Sequence, residues 1–403
     1  MFRALSHRNY RIFWVGAFLS NCGTWMQSVA QGWLVLQLTN SAFWLGLDAF
    51  MATAPGIVLT LLGGVFADIV DRRRLLMLTQ IIACAAAIAL AVLVSTGLVN
   101  RWMILGFSFV TGCCFALSSP SYMAMTYDLV GREDVANAVA LNSTQFQLSR
   151  VIGPTLAGVG FNLFGLDGCF YANGLSFVAV VVALAMVRPE AYSATVSLQP
   201  ERHNIWHDLL EGVKYVRNRP RVSSLIFLSA VNSLFGAPYF AMVPIYARDI
   251  FRLGESGLAL MMGIAGGGAF LGALLVAYLG DFRRKGWAVI IGGIAAGCCV
   301  SLFALSTNLP ISLVALFGIG FSIVISVATE NTLLQKLVTD QMRGRVMSMF
   351  MMSFIGTMPI GNIAAGALSQ RFGVRYTLAA GGLIATLVTV LVGISNKRLR
   401  DLN

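Results

Sequence analysis

Charged residues are scarce in this chain. Only 11% of its 403 residues are Asp, Glu, Lys or Arg, whereas 57% are hydrophobic, and the mean hydropathy is +0.78. A soluble domain carries about 25% charged residues. A chain with so few charges cannot cover its surface with polar groups in water. We therefore predict an integral membrane protein whose solvent is lipid.

The sequence also lacks the motifs of an enzyme. Its seven cysteines show no zinc-type spacing, and the adjacent pairs Cys113–Cys114 and Cys298–Cys299 are interpreted as small packing residues. There is no GxxxxGK[ST] phosphate-binding loop, which argues against ATP as the energy source. No nucleophile–base pair or metal-ligand cluster stands out. We predict a protein that is not an enzyme and needs neither cofactor nor metal.

The sequence also lacks the features of a cleavable signal peptide and of a nucleic-acid-binding surface. The stretch from Met1 to Arg11 is short and basic, without a small-residue cleavage site, so we expect the first apolar segment to remain in the membrane. The net charge is +11, but the basic residues lie in loops without interleaved aromatics. This pattern argues against a nucleic-acid partner.

Long apolar segments fill most of the chain. A membrane helix needs about 20 mostly apolar residues, and twelve segments qualify. Their approximate bounds are 12–38, 43–67, 75–97, 102–127, 137–163, 168–187, 223–247, 257–280, 287–306, 309–333, 346–369 and 376–395. The sequence therefore predicts an all-α membrane protein with an N-terminal six-helix lobe (1–190), a cytoplasmic linker (191–222) and a C-terminal six-helix lobe (223–403).

Loop charges predict the orientation. Most of the 28 lysines and arginines fall on one side of the twelve segments. The other side holds only Arg101, Arg248, Arg252, Arg371 and Arg375. Because cytoplasmic loops carry the excess of basic residues, both termini and the central linker are predicted to be cytoplasmic.

The two halves repeat each other. Gly153 and Gly158 in the fifth segment lie 208 residues before Gly361 and Gly366 in the eleventh. Paired six-helix halves are an architecture of transporters, with the substrate site near the membrane midplane. Within the linker, residues 203–219 have the period of an amphipathic helix. That helix could lie on the cytoplasmic leaflet or pack on the protein.

The second and third segments are joined by a run that resembles a signature of the major facilitator superfamily. The run is Gly64-Val65-Phe66-Ala67-Asp68, followed by Arg72-Arg73-Arg74. Three further stretches resemble the bacterial branch of this superfamily that contains the enterobactin exporter. They are 23–34, 137–154 and 331–346. The resemblance covers nearly the whole chain and implies a bacterial inner-membrane exporter of small molecules, coupled to protons.

The resemblance also implies a cytoplasmic gate. In the family the aspartate that matches Asp68 lies near the start of the eleventh helix and helps to hold the cytoplasmic side closed. A carboxylate near a helix N-terminus is stabilised by about 0.3–1 kcal/mol. The C-terminal half has an approximate counterpart of this run. The predicted gate residues are Asp68, Arg72, Asp281, Arg284 and Lys285.

Polar residues inside the apolar segments predict a substrate cavity. Residues spaced by three and four share one face of a helix, and unsatisfied amides are costly in lipid. Such faces should therefore point away from lipid. The predicted cavity residues are Thr24, Gln27, Gln31, Asn142, Gln145, Arg150, Asn232 and Asn362.

The fifth segment carries two further features. Arg150 lies about 20 Å along that helix, where a charge costs at least about 2.5–3.5 kcal/mol unless it is paired or hydrated. It is either a substrate or proton-relay contact or a structural arginine. Gly153, Pro154 and Gly158 resemble the antiporter motif of this helix, and we interpret them as a hinge or seal.

Proton coupling needs a titratable group. Asp48 in the second segment and Glu330 in the tenth are the acidic candidates in the apolar segments. We predict a monomeric twelve-helix transporter that exports a small amphipathic or aromatic compound, such as a siderophore or drug, in exchange for protons. A lysophospholipid or lipid transporter of the same fold is the nearest alternative. A non-transporting membrane sensor or assembly protein is the alternative from another class.

Overall fold

The computed structural model describes residues 3–60, 71–187, 205–280, 282–400 and 402. These residues form helices and their connections, and no strand is assigned among them. Within the same ranges, nine helices are long and apolar enough to cross a membrane. The predicted all-helical membrane fold is confirmed. The count of twelve spans and the lobe boundaries stay predictions.

The described helices follow one another along the chain in this order. A 3-10 turn at Arg3–Ser6 precedes α1 (Arg8–Thr39), α2 (Ala42–Thr53), α3 (Arg72–Ser95), α4 (Arg101–Met186), α5 (Ile205–Arg217), α6 (Pro220–Val231) and α7 (Tyr239–Ile245). The chain continues with α8 (Gly254–Leu279), α9 (Lys285–Leu305), α10 (Leu309–Leu337), α11 (Asp340–Ile355), α12 (Thr357–Phe372), α13 (Val374–Ser395) and α14 (Lys397–Arg400). The apolar span that begins with α2 extends to Thr60.

The chain divides into two compact units. The first, called unit 1 here, comprises Met1–Val196 and Val243–Gly263. The second, unit 2, comprises Ser197–Met242 and Ile264–Asn403. Each unit is described separately below.

The longest helix of unit 1 is α4, with 86 residues. Its backbone leaves helical geometry at Gly131 (φ 71°) and Gly165 (φ 74°). Glycine adopts positive φ readily because it has no Cβ. These two glycines lie in the gaps between the predicted segments 102–127, 137–163 and 168–187. The chain therefore changes conformation close to the places where the sequence predicts turns.

Side chains mark several helix ends. The carboxamide oxygen of Asn100 accepts hydrogen bonds from the backbone N–H groups of Trp102 and Met103, both at 3.0 Å. Asp71 caps the start of α3 by accepting from the N–H of Arg74 at 2.9 Å. Such N-caps satisfy backbone donors that a helix leaves unpaired. The helix starts thus follow local sequence signals.

The predicted segment 223–247 is not one regular helix. Two π-helical turns, Asn232–Gly236 and Tyr246–Ile250, flank α7. Pro238 and Pro244 lie between these turns. Proline has no N–H and clashes with the carbonyl four residues earlier, so regular helical bonding cannot continue through it. The two prolines explain why this segment departs from the regular helix that its hydropathy predicts.

The linker helix α5 packs on unit 2. Val216 is buried in a cluster that includes Val222, Met342 and Val346. The guanidinium of Arg345 in α11 also forms an ion pair with the carboxylate of Glu211 in α5. Of the two arrangements open at the sequence level, these contacts support a helix packed on the protein.

Candidate transport site

A connected polar network crosses the apolar helices of unit 1. The amide of Gln31 donates to both carboxylate oxygens of Asp48, at 3.0 and 3.1 Å. Ser108 in α4 also donates to Asp48. The amide of Gln27 lies 3.4 Å from the carboxamide oxygen of Gln31, and Gln27 in turn accepts a 2.6 Å hydrogen bond from the amide of Asn173. Predicted cavity residues of α1 and the predicted coupling residue Asp48 therefore belong to one network.

A second network surrounds Asn142. Its carboxamide oxygen accepts from the hydroxyl of Tyr10 at 2.9 Å, and its amide donates to Thr126 at 3.0 Å. Tyr122 lies 3.4 Å from both the Asn142 and Gln145 carboxamide oxygens. The predicted cavity residues Asn142 and Gln145 are both buried and largely satisfied by these contacts. Their hydrogen bonds connect α1 with two stretches of α4.

A cavity of about 210 Å³ lies beside this second network. Residues from α1, α3 and three stretches of α4 line it, all within unit 1. The lining includes Asn142 and Gln145, which the sequence predicts, but not Thr24, Gln27 or Gln31. Thr24 is exposed in this structure, although its neighbours along the helix stripe are not.

Arg150 and the predicted hinge lie where α4 meets α1. The guanidinium carbon of Arg150 is 5.2 Å from the centre of the Trp25 ring, a cation–π contact. A Cβ on Gly153 would lie 2.4 Å from the Cβ of Trp25, so glycine permits the close approach of the two helices. Pro154 is buried beside it, and a Cβ on Gly158 would be 3.1 Å from the Cβ of Ala259. This arrangement supports a packing role for the motif.

Unit 2 contains a second buried carboxyl group. Glu330 in α10 is 0% exposed, and one of its oxygens lies 3.1 Å from the hydroxyl of Ser326. Its other oxygen has no hydrogen-bond partner among the described residues. The predicted cavity residues Asn232 and Asn362 are also buried in this unit. Glu330 thus lies in surroundings that offer a carboxylate very little stabilisation.

The predicted gate residues are only partly described. Asp68 and Asp281 lie outside the described residues. Arg72 forms an ion pair with Asp128, with 2.9 Å between Nη1 and Oδ2. Arg284 directly precedes α9 and has a left-handed backbone (φ 65°), and the ammonium of Lys285 donates to the carbonyl of Phe282 at 2.9 Å. The Arg72–Asp128 ion pair therefore connects α3 with α4. This contact was not predicted from the sequence.

Several polar residues of the site were not among those predicted from the sequence. Asn21 and Gln80 line the cavity, while Ser108 and Asn173 connect the first network. Ser108 and Asn173 lie in largely apolar stretches, Gln80 follows Thr79, and Asn21 follows Ser20. Their partners belong to other helices, so helical periodicity alone could not group them.

Comparison with known proteins identifies the family of the chain. The chain matches the family described as "Transmembrane secretion effector" over residues 1–403. It belongs to this family. The protein is thus a multi-pass membrane transporter of the major facilitator superfamily and not an enzyme, which confirms the resemblance seen in its motifs.

Relatives of this transporter include named exporters. It is 26% identical to the "Multidrug efflux pump Tap" of Mycolicibacterium fortuitum, over 96% of this chain and 95% of that protein. It is 23% identical to the "Enterobactin exporter EntS" of Escherichia coli O1:K1 / APEC, over 98% and 94%. The crystal structure of the nucleoside transporter NupG matches with a TM-score of 0.75 at 12% identity, covering 98% of this chain and 100% of that one. The structural match supports the fold alone.

Proposed function

We propose that this transporter exports small amphipathic or aromatic compounds from the cytoplasm by proton antiport with alternating access. The relatives named for siderophore and multidrug export support the direction and the substrate range. The protein would act as a monomer in the bacterial inner membrane, with both termini in the cytoplasm. The positive-inside distribution of its basic residues supports that orientation.

The observation that carries the coupling proposal is the pair of buried carboxyl groups. Asp48 and Glu330 lie in apolar helices, and neither forms an ion pair within the described part of the chain. A buried charge without a counter-ion is costly, so such a carboxyl group is accommodated best when it carries a proton. A transporter that alternately buries and hydrates such a group would bind a proton in one state and release it in another.

The direct test is flux in proteoliposomes. Purified protein is reconstituted, and transport of the aromatic dye Hoechst 33342 and of enterobactin is followed with and without an imposed pH gradient. We expect transport of at least one compound, accelerated when the gradient drives protons in the opposite direction. Transport that ignores the gradient in every preparation would contradict proton antiport. A stable partner complex without flux of either compound would favour the sensor alternative.

A further inference from the structure

The unit 1 cavity has an unusual lining for its size. It contains amide and hydroxyl groups together with the aromatic rings of Phe13, Phe115 and Phe146. No Asp, Glu, Lys, Arg or His side chain lines it among the residues that the structure describes. This composition restricts what the cavity can hold.

Some of the polar groups that line the cavity keep free hydrogen-bonding capacity. Asn21, Ser119 and the carboxamide oxygen of Gln80 line it, and none has a hydrogen-bond partner within the described ranges. Asn142 and Gln145 differ from these groups, because they bond to Tyr10, Tyr122 and the backbone. Unsatisfied groups beside an empty space favour a ligand that brings its own donors and acceptors.

The volume sets the size of that ligand. A cavity of about 150 Å³ holds benzene in another protein, whereas sites for whole drug-sized ligands span about 300–1,000 Å³. At about 210 Å³, this cavity has room for one substituted ring rather than for an entire amphipathic substrate. The rings of Phe13 and Tyr122, whose centres are 4.9 Å apart, supply aromatic surface for it.

We propose that this cavity is a subsite that takes one uncharged aromatic ring bearing hydroxyl or amide substituents. The inference rests on the proposed function, since the ring would be part of an exported compound. Gln80 would accept from a donor on the ring, and Asn21 and Ser119 would bond to its other polar substituents. A carboxylate or ammonium in the same position would be desolvated without a counter-charge.

Two small probes that share a ring test the charge requirement. Salicylamide carries a hydroxyl and a neutral amide, whereas salicylate carries a carboxylate in place of the amide. Their binding to the transporter in lipid nanodiscs is followed by saturation-transfer NMR at mildly acidic pH, with empty nanodiscs subtracted. We expect saturable binding of salicylamide and at least tenfold weaker binding of salicylate. Equal binding of both probes, or no binding of salicylamide, would overturn the proposal.

Variants locate the binding. Gln80→Met removes the acceptor at similar size, and we expect it to weaken salicylamide binding about fivefold, as expected for the loss of one neutral hydrogen bond. Ser119→Leu should abolish binding by filling the cavity. Gln335→Met and Ser143→Leu are the matched controls, because both residues are exposed and line no part of this cavity. Monodisperse elution in size-exclusion chromatography verifies folding.

The two proposals fail in distinguishable ways. Salicylamide binding that ignores both Gln80→Met and Ser119→Leu would overturn the ring subsite, even if proteoliposomes show proton-driven export. The converse result is salicylamide binding that Gln80→Met weakens and Ser119→Leu abolishes, in a protein that transports neither Hoechst 33342 nor enterobactin. That result would support the ring subsite and overturn the exporter proposal.

Discussion

The amide nitrogen of Gln31 lies 3.0 and 3.1 Å from the two carboxylate oxygens of Asp48. Ser108 is a second donor group, so among the described residues this carboxyl group accepts hydrogen bonds from uncharged donors only. Among the described residues, Glu330 has only the Ser326 hydroxyl as a donor. That hydroxyl also lies 3.3 Å from the carbonyl of Val289 and can donate to one acceptor at a time. The two candidate coupling residues therefore differ in how well their surroundings accommodate a negative charge.

We expect the amide substitution to cost more stability at Asp48 than at Glu330. In Asp48→Asn, the new amide group faces donors on Gln31 and Ser108, so at least one hydrogen bond is lost, which costs about 1–2 kcal/mol. In Glu330→Gln, Ser326 can still donate to the remaining carbonyl oxygen. We therefore expect the free energy of unfolding to change by less than about 0.5 kcal/mol. Thermal unfolding of both variants in the same detergent measures the difference. A larger loss for Glu330→Gln would contradict this comparison of their environments.

Loss of coupling is the second expected outcome. An amide cannot exchange a proton as a carboxyl group does, so Glu330→Gln should abolish the acceleration of Hoechst 33342 transport by a pH gradient. Exchange of the dye without a gradient should continue at a rate within about twofold of wild type, because no substrate contact is removed. Glu133→Gln, at an exposed glutamate of unit 1, is the control. Gradient-driven transport that survives in Glu330→Gln would remove this residue from the coupling mechanism.

How far the sequence predicted this protein depends on the kind of contact involved. Hydropathy, loop charges and motifs were sufficient for the helical membrane fold and its family, since lipid imposes these patterns on any spanning chain. Asp48 and Gln31 were both singled out by their cost in lipid, but their mutual bond was not predicted.

Side-chain contacts between residues far apart in the chain were not predicted from the sequence. Asn173 meets Gln27 across 146 residues of chain, and Asp128 meets Arg72 across 56. A helix's own period reports which residues share its face, but it carries no information about the partner on another helix. Gln80 is a further case, because the adjacent pair Thr79–Gln80 in an apolar run gives no helical period.

The Arg72–Asp128 ion pair predicts a specific stability pattern. About a third of the Arg72 side chain is exposed, so solvent screens the pair and its contribution should be about 0.5–1 kcal/mol. Arg72→Ala and Asp128→Ala should each lower the unfolding temperature, and the double variant should lose less than the sum of the two. The double-mutant cycle is measured by thermal unfolding at low and high salt. Strict additivity at low salt would show that the pair contributes nothing.

The contact between α1 and α4 at Gly153 gives the last prediction. A Cβ there would lie 2.4 Å from the Trp25 Cβ and 2.7 Å from the carbonyl oxygen of Cys22, closer than van der Waals contact allows. Because one of these neighbours is backbone, relief requires the two helices to separate. We expect Gly153→Ala to cost about 1–3 kcal/mol of stability, the usual range for overpacking a close-packed contact.

Gly106, in the part of α4 that precedes the break at Gly131, provides the matched control. A Cβ at Gly106 would meet no atom within 4 Å, so Gly106→Ala tests helix propensity without the clash. It should leave stability unchanged or raise it by up to about 1 kcal/mol, because alanine favours helices over glycine. Thermal unfolding and dye transport are measured for both variants. If Gly153→Ala is as stable and as active as Gly106→Ala, the close approach of α1 and α4 at this glycine is not required for the fold or for transport.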